Sequence, residues 1–233
     1  MNSVPFNDSR FNQSPSVAGT AHANEFKNFG FVSAKLLDDQ LLPIRNEVAK
    51  IQKDFTKGKK YNEHLAGNIR NEYKLIDSHK HISDLVLPYV LTYEKHYNYM
   101  KSQHVLSSFL DAEIVLEHTW VNFQKKHEFN PPHTHGGLMS FVIWLTIPYT
   151  MEEEMKVAPG NKSRDPVSGH FCFHYMNSLG QIVPHAIPAD KTMENMLVVF
   201  PANMSHSVYP FYSSDKFRIT VSGNFAIKLP EKN

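Results

Sequence analysis

The stretch FRITVSGNFAIKL, residues 217–229, reads as a strand with two unlike faces. Arg218, Thr220, Ser222 and Asn224 fall on one side, and Ile219, Val221, Phe225 and Ile227 on the other, with Gly223 the small exception. Such a strand packs one face on an apolar layer and turns the other to a polar interior. Working outward, AEIVLEHTWVNFQ (112–124), LMSFVIWLTIPY (138–149), HFCFHYMN (170–177) and NMLVVFPA (195–202) have the same character. They are short, rich in β-branched and aromatic residues, and bounded by Gly, Pro, Asn and Asp.

Upstream the period is helical. Apolar residues recur at three- and four-residue intervals from Leu36 to Phe55, around Pro43, and again from Ile82 to about Leu110, with Pro88 assigned to a first turn. The intervening TKGKKYNEHLAGNIRNEYKL (56–75) reads as a loop crossing one face, and an edge strand is expected near Phe26–Val32. Helices first and antiparallel strands afterwards predict a mainly β protein, a double-sheet roll buttressed by N-terminal helices. The expected organisation is one structural domain: an arm over 1–28, a helical support region over 29–110 and a strand core over 111–230.

The whole chain restricts the function classes. Its 233 residues are 41% hydrophobic and 20% charged, which describes a globular protein. The 24 Lys and Arg nearly cancel the 23 Asp and Glu, so nothing electrostatic argues for broad nucleic-acid binding, and Lys57, Lys59 and Lys60 read as solvated surface. Cys172 is the single cysteine, which excludes an intrachain disulfide and a Cys-rich zinc site. The polar start and the absence of an 18-residue apolar run support neither a signal peptide nor a membrane span, and the expected address is cytoplasmic.

Chemistry concentrates in the histidines. In EFNPPHTHGGLMSFVIWL (128–145), His133 and His135 are two residues apart, so in extended chain both imidazoles reach the same side. In FPANMSHSVYPF (200–211), His206 follows another apolar strand at a turn set by Pro201 and Asn203. A close pair with a distant third ligand is what a metal site in a β-roll requires. Arg218, twelve residues beyond His206, needs an anion if it is buried, and a carboxylate satisfies its fork.

From Trp120 to Phe225 the chain resembles the iron(II) and 2-oxoglutarate dependent oxygenases, and most closely a poorly characterised group found in bacteria and in tailed phages of marine bacteria. The order WVN, then HTH, an apolar strand ending in Pro, LVVFP, SHSVYP and an Arg-containing strand carries the likeness. The resemblance implies a double-stranded β-helix (a cupin-like jelly roll), Fe(II), 2-oxoglutarate as small-molecule co-substrate, dioxygen, and hydroxylation of a prime substrate. A phage source would place the protein in the cytoplasm of the host cell. Carried over, His133 is the first ligand, His206 the distal ligand and Arg218 the anchor for the far carboxylate of 2-oxoglutarate. Thr220 or Ser222 adds a hydroxyl there, and Asn122 and Tyr175 reach in from inner strands.

The departure lies at the second ligand. The wider superfamily places a carboxylate two residues after the first His, where this chain has His135, giving a three-His set with one less negative charge. Two other arrangements stay open: His135 as first ligand with Gly137 in the carboxylate position, as in related halogenases, or an outside carboxylate such as Glu128 or Asp165. Rival functions are a cupin-like three-His enzyme that does not use 2-oxoglutarate, which has no need of Arg218, and a non-enzymatic binding or virion-associated β-roll. Trp144, Phe171, Phe173 and Tyr209 read as core. The polar segment Met151–Gly169 reads equally as an active-site lid or as plain solvent-facing chain. Strand edges and the N-terminal arm are compatible with a homodimer.

Overall fold

A computed structural model of the chain describes residues 28–102 and 113–228. The elements in order are β1 (Val32–Lys35), α1 (Asp38–Lys53), β2 (Lys59–Lys60), β3 (Glu72–Lys74), α2 (His79–Tyr97), α3 (Tyr99–Ser102), β4 (Glu113–Gln124), β5 (Asn130–His133) and β6 (Met139–Thr146). They continue with α4 (Met151–Val157), β7 (His170–Met176), β8 (Ile182–Pro188), β9 (Met196–Pro201), β10 (His206–Val208) and β11 (Arg218–Lys228). The expected arm, save Asn28, and the end of the second helical pattern lie outside the described residues.

Two antiparallel sheets face each other, a seven-stranded one in the order β1-β9-β6-β11-β4-β3-β2 and a four-stranded one in the order β5-β10-β7-β8. The double-sheet roll expected from the strand pattern is therefore present, with β11 at the centre of the larger sheet between β4 and β6. Its apolar face (Ile219, Val221, Phe225) joins a core with Leu41, Ile44 and Val48 of α1 and Ile82, Val86 and Val90 of α2. A second core, including Trp144, Phe171, Phe173 and Phe200, fills the space between the sheets. Gly223 breaks the alternation for a steric reason: a Cβ there would lie 2.6 Å from both the His118 carbonyl oxygen and the Phe141 ring.

Four local expectations need correction. The segment 56–75 is not only loop, because β2 and β3 extend the larger sheet beyond β4. Strands of two and three residues are too short to show a period. Pro88 is not in a first turn: α2 begins at His79, and the Pro88 carbonyl accepts a bond from Thr92 Oγ1. The helix also stops earlier than its apolar spacing suggests, because Asn98 adopts φ 52° and the chain restarts as α3. The edge strand expected near Phe26–Val32 starts at Val32 and pairs with β9.

Candidate metal and co-substrate site

Strand pairing builds the histidine cluster. β5 and β10 place His133 directly opposite His206, and His135 follows as the chain leaves β5, its backbone N–H bonded to the Ala202 carbonyl. The ligating atoms of all three lie within 4.8 Å of one another. Their ring centroids are 4.3 Å (His133–His206), 4.9 Å (His133–His135) and 5.0 Å (His135–His206) apart. His206 is buried, with Phe200 and Phe171 centroids at 4.9 and 5.5 Å.

Hydrogen bonds set which nitrogen faces the cluster. His133 Nδ1 lies 2.7 Å from the Pro131 carbonyl oxygen and His206 Nδ1 2.9 Å from that of Met204. A carbonyl only accepts, so each Nδ1 carries the proton and Nε2 keeps a free lone pair in the neutral ring.

A pocket runs from these rings between the sheets, past Asn122, Thr220 and Ser222, to Arg218. The Arg218 side chain is 1% exposed, and all five of its N–H donors are used. Nε and one terminal nitrogen bond to Gln124 Oε1 at 3.0 and 2.7 Å. The others bond to Tyr149 Oη at 2.7 Å, the Gly169 carbonyl at 2.8 Å and the Tyr209 carbonyl at 2.9 Å. Every acceptor is neutral, and no carboxylate among the described residues forms an ion pair with the guanidinium.

Residues 118–224 match the model of a family described as "Putative 2OG-Fe(II) oxygenase". This segment is a 2OG-Fe(II) oxygenase domain. The matched residues run from β4 to β11 and contain the three histidines and Arg218. Among solved structures the oxygenase is similar to a prolyl-4-hydroxylase from Pseudomonas putida, at 16% identity and a TM-score of 0.50, over 85% of this chain and 93% of that one. It is also similar to a viral collagen prolyl hydroxylase from Paramecium bursaria Chlorella virus-1, at 14% identity and a TM-score of 0.43, over 84% and 96% of the two chains. At these identities the first likeness shows a shared fold, the double-stranded β-helix. No curated protein matches the chain. The family brings Fe(II), 2-oxoglutarate and dioxygen as cofactors.

The donor set fits that metal, since imidazole nitrogen is a suitable ligand for ferrous iron and one ring nitrogen of each histidine lies within 4.8 Å of the others. Burial keeps them neutral: desolvation, and then the neighbouring rings, lower the pKa of His206 to about 3 and of His135 to about 4, and His133 also lies below its usual value. A histidine depressed in the fold but ordinary in the unfolded chain stabilises the fold above pH ~6.5, and that contribution is lost as the pH falls toward the folded value. For His206 alone the loss by pH 5 is on the order of 2 kcal/mol. The thermal midpoint of metal-free oxygenase is accordingly expected to fall between pH 7 and pH 5, by differential scanning fluorimetry, because the loss from three lowered histidines exceeds the opposite gain from Glu72, whose carboxyl lies above its usual range. A midpoint independent of pH over that range would contradict neutral buried rings.

Of the residues singled out from the sequence, His133, His135, His206, Asn122, Arg218, Thr220 and Ser222 line this one pocket. Tyr175 does not, which corrects its assignment to the co-substrate. On β7 it lies two residues beyond Phe173, the partner of His206, and so projects past the histidines into a separate pocket closed by Phe29 and Phe31. Glu128 and Asp165 are not in the histidine cluster. The Glu128 carboxylate accepts from the Arg70 and Lys125 backbone N–H groups instead. Gly137, with φ 95°, serves a turn in which a Cβ would lie 2.8 Å from the Phe225 carbonyl oxygen. Trp144, Phe171 and Phe173 are core as expected, and the first two also wall the pocket. Tyr209 is only half-buried.

Four contributors escaped the sequence reading: Gln124, Tyr149 and Gly169, which cage Arg218, and Glu72 of β3, which reaches the pocket wall. The segment Met151–Gly169 begins with a helix and continues as turns that are mostly exposed over residues 159–165. Its first seven residues form α4 behind a Thr150–Glu153 capping box, and buried Glu154 accepts bonds from Ser168 Oγ and the Tyr212 and Ser213 backbone N–H groups.

Proposed function

We propose that the oxygenase is a hydroxylase in which His133, His135 and His206 hold Fe(II) through Nε2 and Arg218 anchors the far carboxylate of 2-oxoglutarate. One observation carries this reading: a single pocket joins three neutral imidazoles to a buried guanidinium that has no carboxylate partner among the described residues. The cage of neutral acceptors orients the guanidinium without cancelling its charge, so a dianionic co-substrate is the complementary ligand.

Asn122 and Thr220 act as a pair. Asn122 Nδ2 donates to Thr220 Oγ1 at 3.1 Å, which occupies a lone pair on that oxygen and leaves the Thr220 hydroxyl proton free for an acceptor in the pocket. Ser222, one step nearer the histidines on the same strand face, offers a second hydroxyl. Trp144, Phe171 and Phe200 exclude water around the pocket and raise the strength of its polar contacts. Together, bound Fe(II), 2-oxoglutarate and dioxygen supply the oxidising chemistry, in which 2-oxoglutarate is decarboxylated to succinate as a C–H bond of the prime substrate is oxidised.

A three-His enzyme that does not use 2-oxoglutarate is disfavoured, because it has no use for Arg218 at the end of this pocket. The test is iron-dependent conversion of 2-oxoglutarate to succinate in air. Formation of succinate that requires Fe(II) is expected. Iron-loaded protein that makes none, while a known 2-oxoglutarate oxygenase does so in parallel, would count against the proposal.

A further inference from the structure

Across the β3–β4 pair, Glu72 stands opposite Asn122, and both line the pocket that holds the three histidines. Glu72 lies outside the matched residues 118–224. Its side chain is 3% exposed, and one carboxyl oxygen, Oε2, accepts from Asn62 Nδ2 at 3.0 Å. The other, Oε1, has no partner among the described residues, and neither does Asn122 Oδ1. Two buried oxygens on adjacent strands thus lack hydrogen bonds at the wall of one cavity, a costly arrangement unless a ligand supplies the donors.

The co-substrate cannot supply them. 2-Oxoglutarate as a dianion has acceptors only, so it is matched by the uncompensated charge of Arg218 and the hydroxyl donors of Thr220 and Ser222, and mismatched to Asn122 Oδ1 and to a carboxylate at Glu72. The pocket is therefore sorted into positive charge and hydroxyl donors on β11 and acceptors where β3 meets β4. Near the acceptors the wall is aromatic, since Trp120, two residues before Asn122 on β4, also lines the pocket. A carboxyl group on a partly aromatic wall suits a cationic nitrogen, which a carboxylate pairs and an aromatic ring attracts.

We infer that Glu72, with Asn122, forms the recognition subsite for the prime substrate, and that this subsite takes a basic nitrogen, a primary ammonium or a guanidinium, carried on an aliphatic chain. The inference rests on the hydroxylase reading of the same pocket and adds the substrate class to it. Burial, and then the nearby Glu128 charge, push the Glu72 carboxyl up to about 8, a cost of burial that a cation bound beside Oε1 would offset. The nearby Lys60 charge lowers that pKa in part, but the Lys60 ammonium is bound to the Arg70 carbonyl and Asn71 Oδ1 and not to Glu72.

The experiment is anaerobic calorimetry on the full chain loaded with Fe(II) and 2-oxoglutarate, with n-butylammonium, n-butylguanidinium and neutral 1-butanol as probes. Wild-type protein is expected to bind at least one cationic probe about tenfold or more tightly than 1-butanol, and Glu72→Gln to abolish that preference. Gln keeps the shape and a donor, so a Glu72 that merely donated a proton to 2-oxoglutarate would be replaced without loss. A wild-type protein that does not prefer the cations, or a Glu72→Gln variant that prefers them as strongly, overturns the inference. The wild-type comparison stands even if the variant is unstable. Repeating the titrations without iron and 2-oxoglutarate separates the two readings: cation preference with no 2-oxoglutarate binding would contradict the hydroxylase reading and leave the subsite standing.

Discussion

Arg218→Leu is expected to lower the thermal midpoint by roughly 6–20 °C, one of the two largest effects of any single change considered. The substitution strands Gln124 Oε1, Tyr149 Oη and the Gly169 and Tyr209 carbonyls, which together receive all five guanidinium protons. Stranding several buried acceptors costs about 3–5 kcal/mol, and a chain of this size loses about 2–4 °C per kcal/mol. Thermal unfolding measures it directly, and a Leu variant as stable as wild type would show that the cage is not structural. Arg218→Lys separates the two roles, because it keeps the charge but offers three donors in place of the planar five. Its expected behaviour is partial stability with weakened 2-oxoglutarate binding.

His206→Ala is the second. It removes the most buried of the three rings, the one facing His133 across β5 and β10 and packed on Phe171 and Phe200. Iron affinity is expected to fall by more than about 100-fold, since even groups that only orient a ligand are worth roughly 10–100-fold. The same change should flatten the acid sensitivity of the metal-free protein, because the group with the lowest pKa in the cluster is gone. Anaerobic Fe(II) titration reads the first effect and fluorimetry at pH 7 and 5 the second. Undiminished iron binding would remove His206 from the ligand set.

Much of this candidate site is legible in the sequence, and the reasons are local. The faces of β11 follow from the alternation of 218–227, because a period of two survives into three dimensions wherever a strand is central and paired on both sides. His133 and His135 share a side because they are two apart in extended chain. The distant His206 was readable from its position after an apolar strand, although its register opposite His133 was not.

What escaped the sequence reading depends on register and on neighbours far along the chain. Glu72 sits in a three-residue strand inside a polar segment, and only its pairing with β4 turns it inward. Gln124, Tyr149 and Gly169 are ordinary residues until the fold brings them to one guanidinium. Tyr175 has the inward parity of Phe171 and Phe173, and parity alone could not tell that it lies beyond the histidines. Arg218 was expected to need an anion; the structure adds that neutral acceptors hold it in place beforehand, the arrangement of a preorganised anchor.

The central claim is that one pocket binds Fe(II) at the three histidines and 2-oxoglutarate between that metal and Arg218. Its most direct test is anaerobic titration of metal-free protein with Fe(II) and then 2-oxoglutarate, following the weak visible charge-transfer absorption of the iron–2-oxoglutarate chelate. A band that requires both additions, is lost in His206→Ala and is weakened in folded Arg218→Lys is the expected result. Iron binding with no band on adding 2-oxoglutarate would contradict the claim.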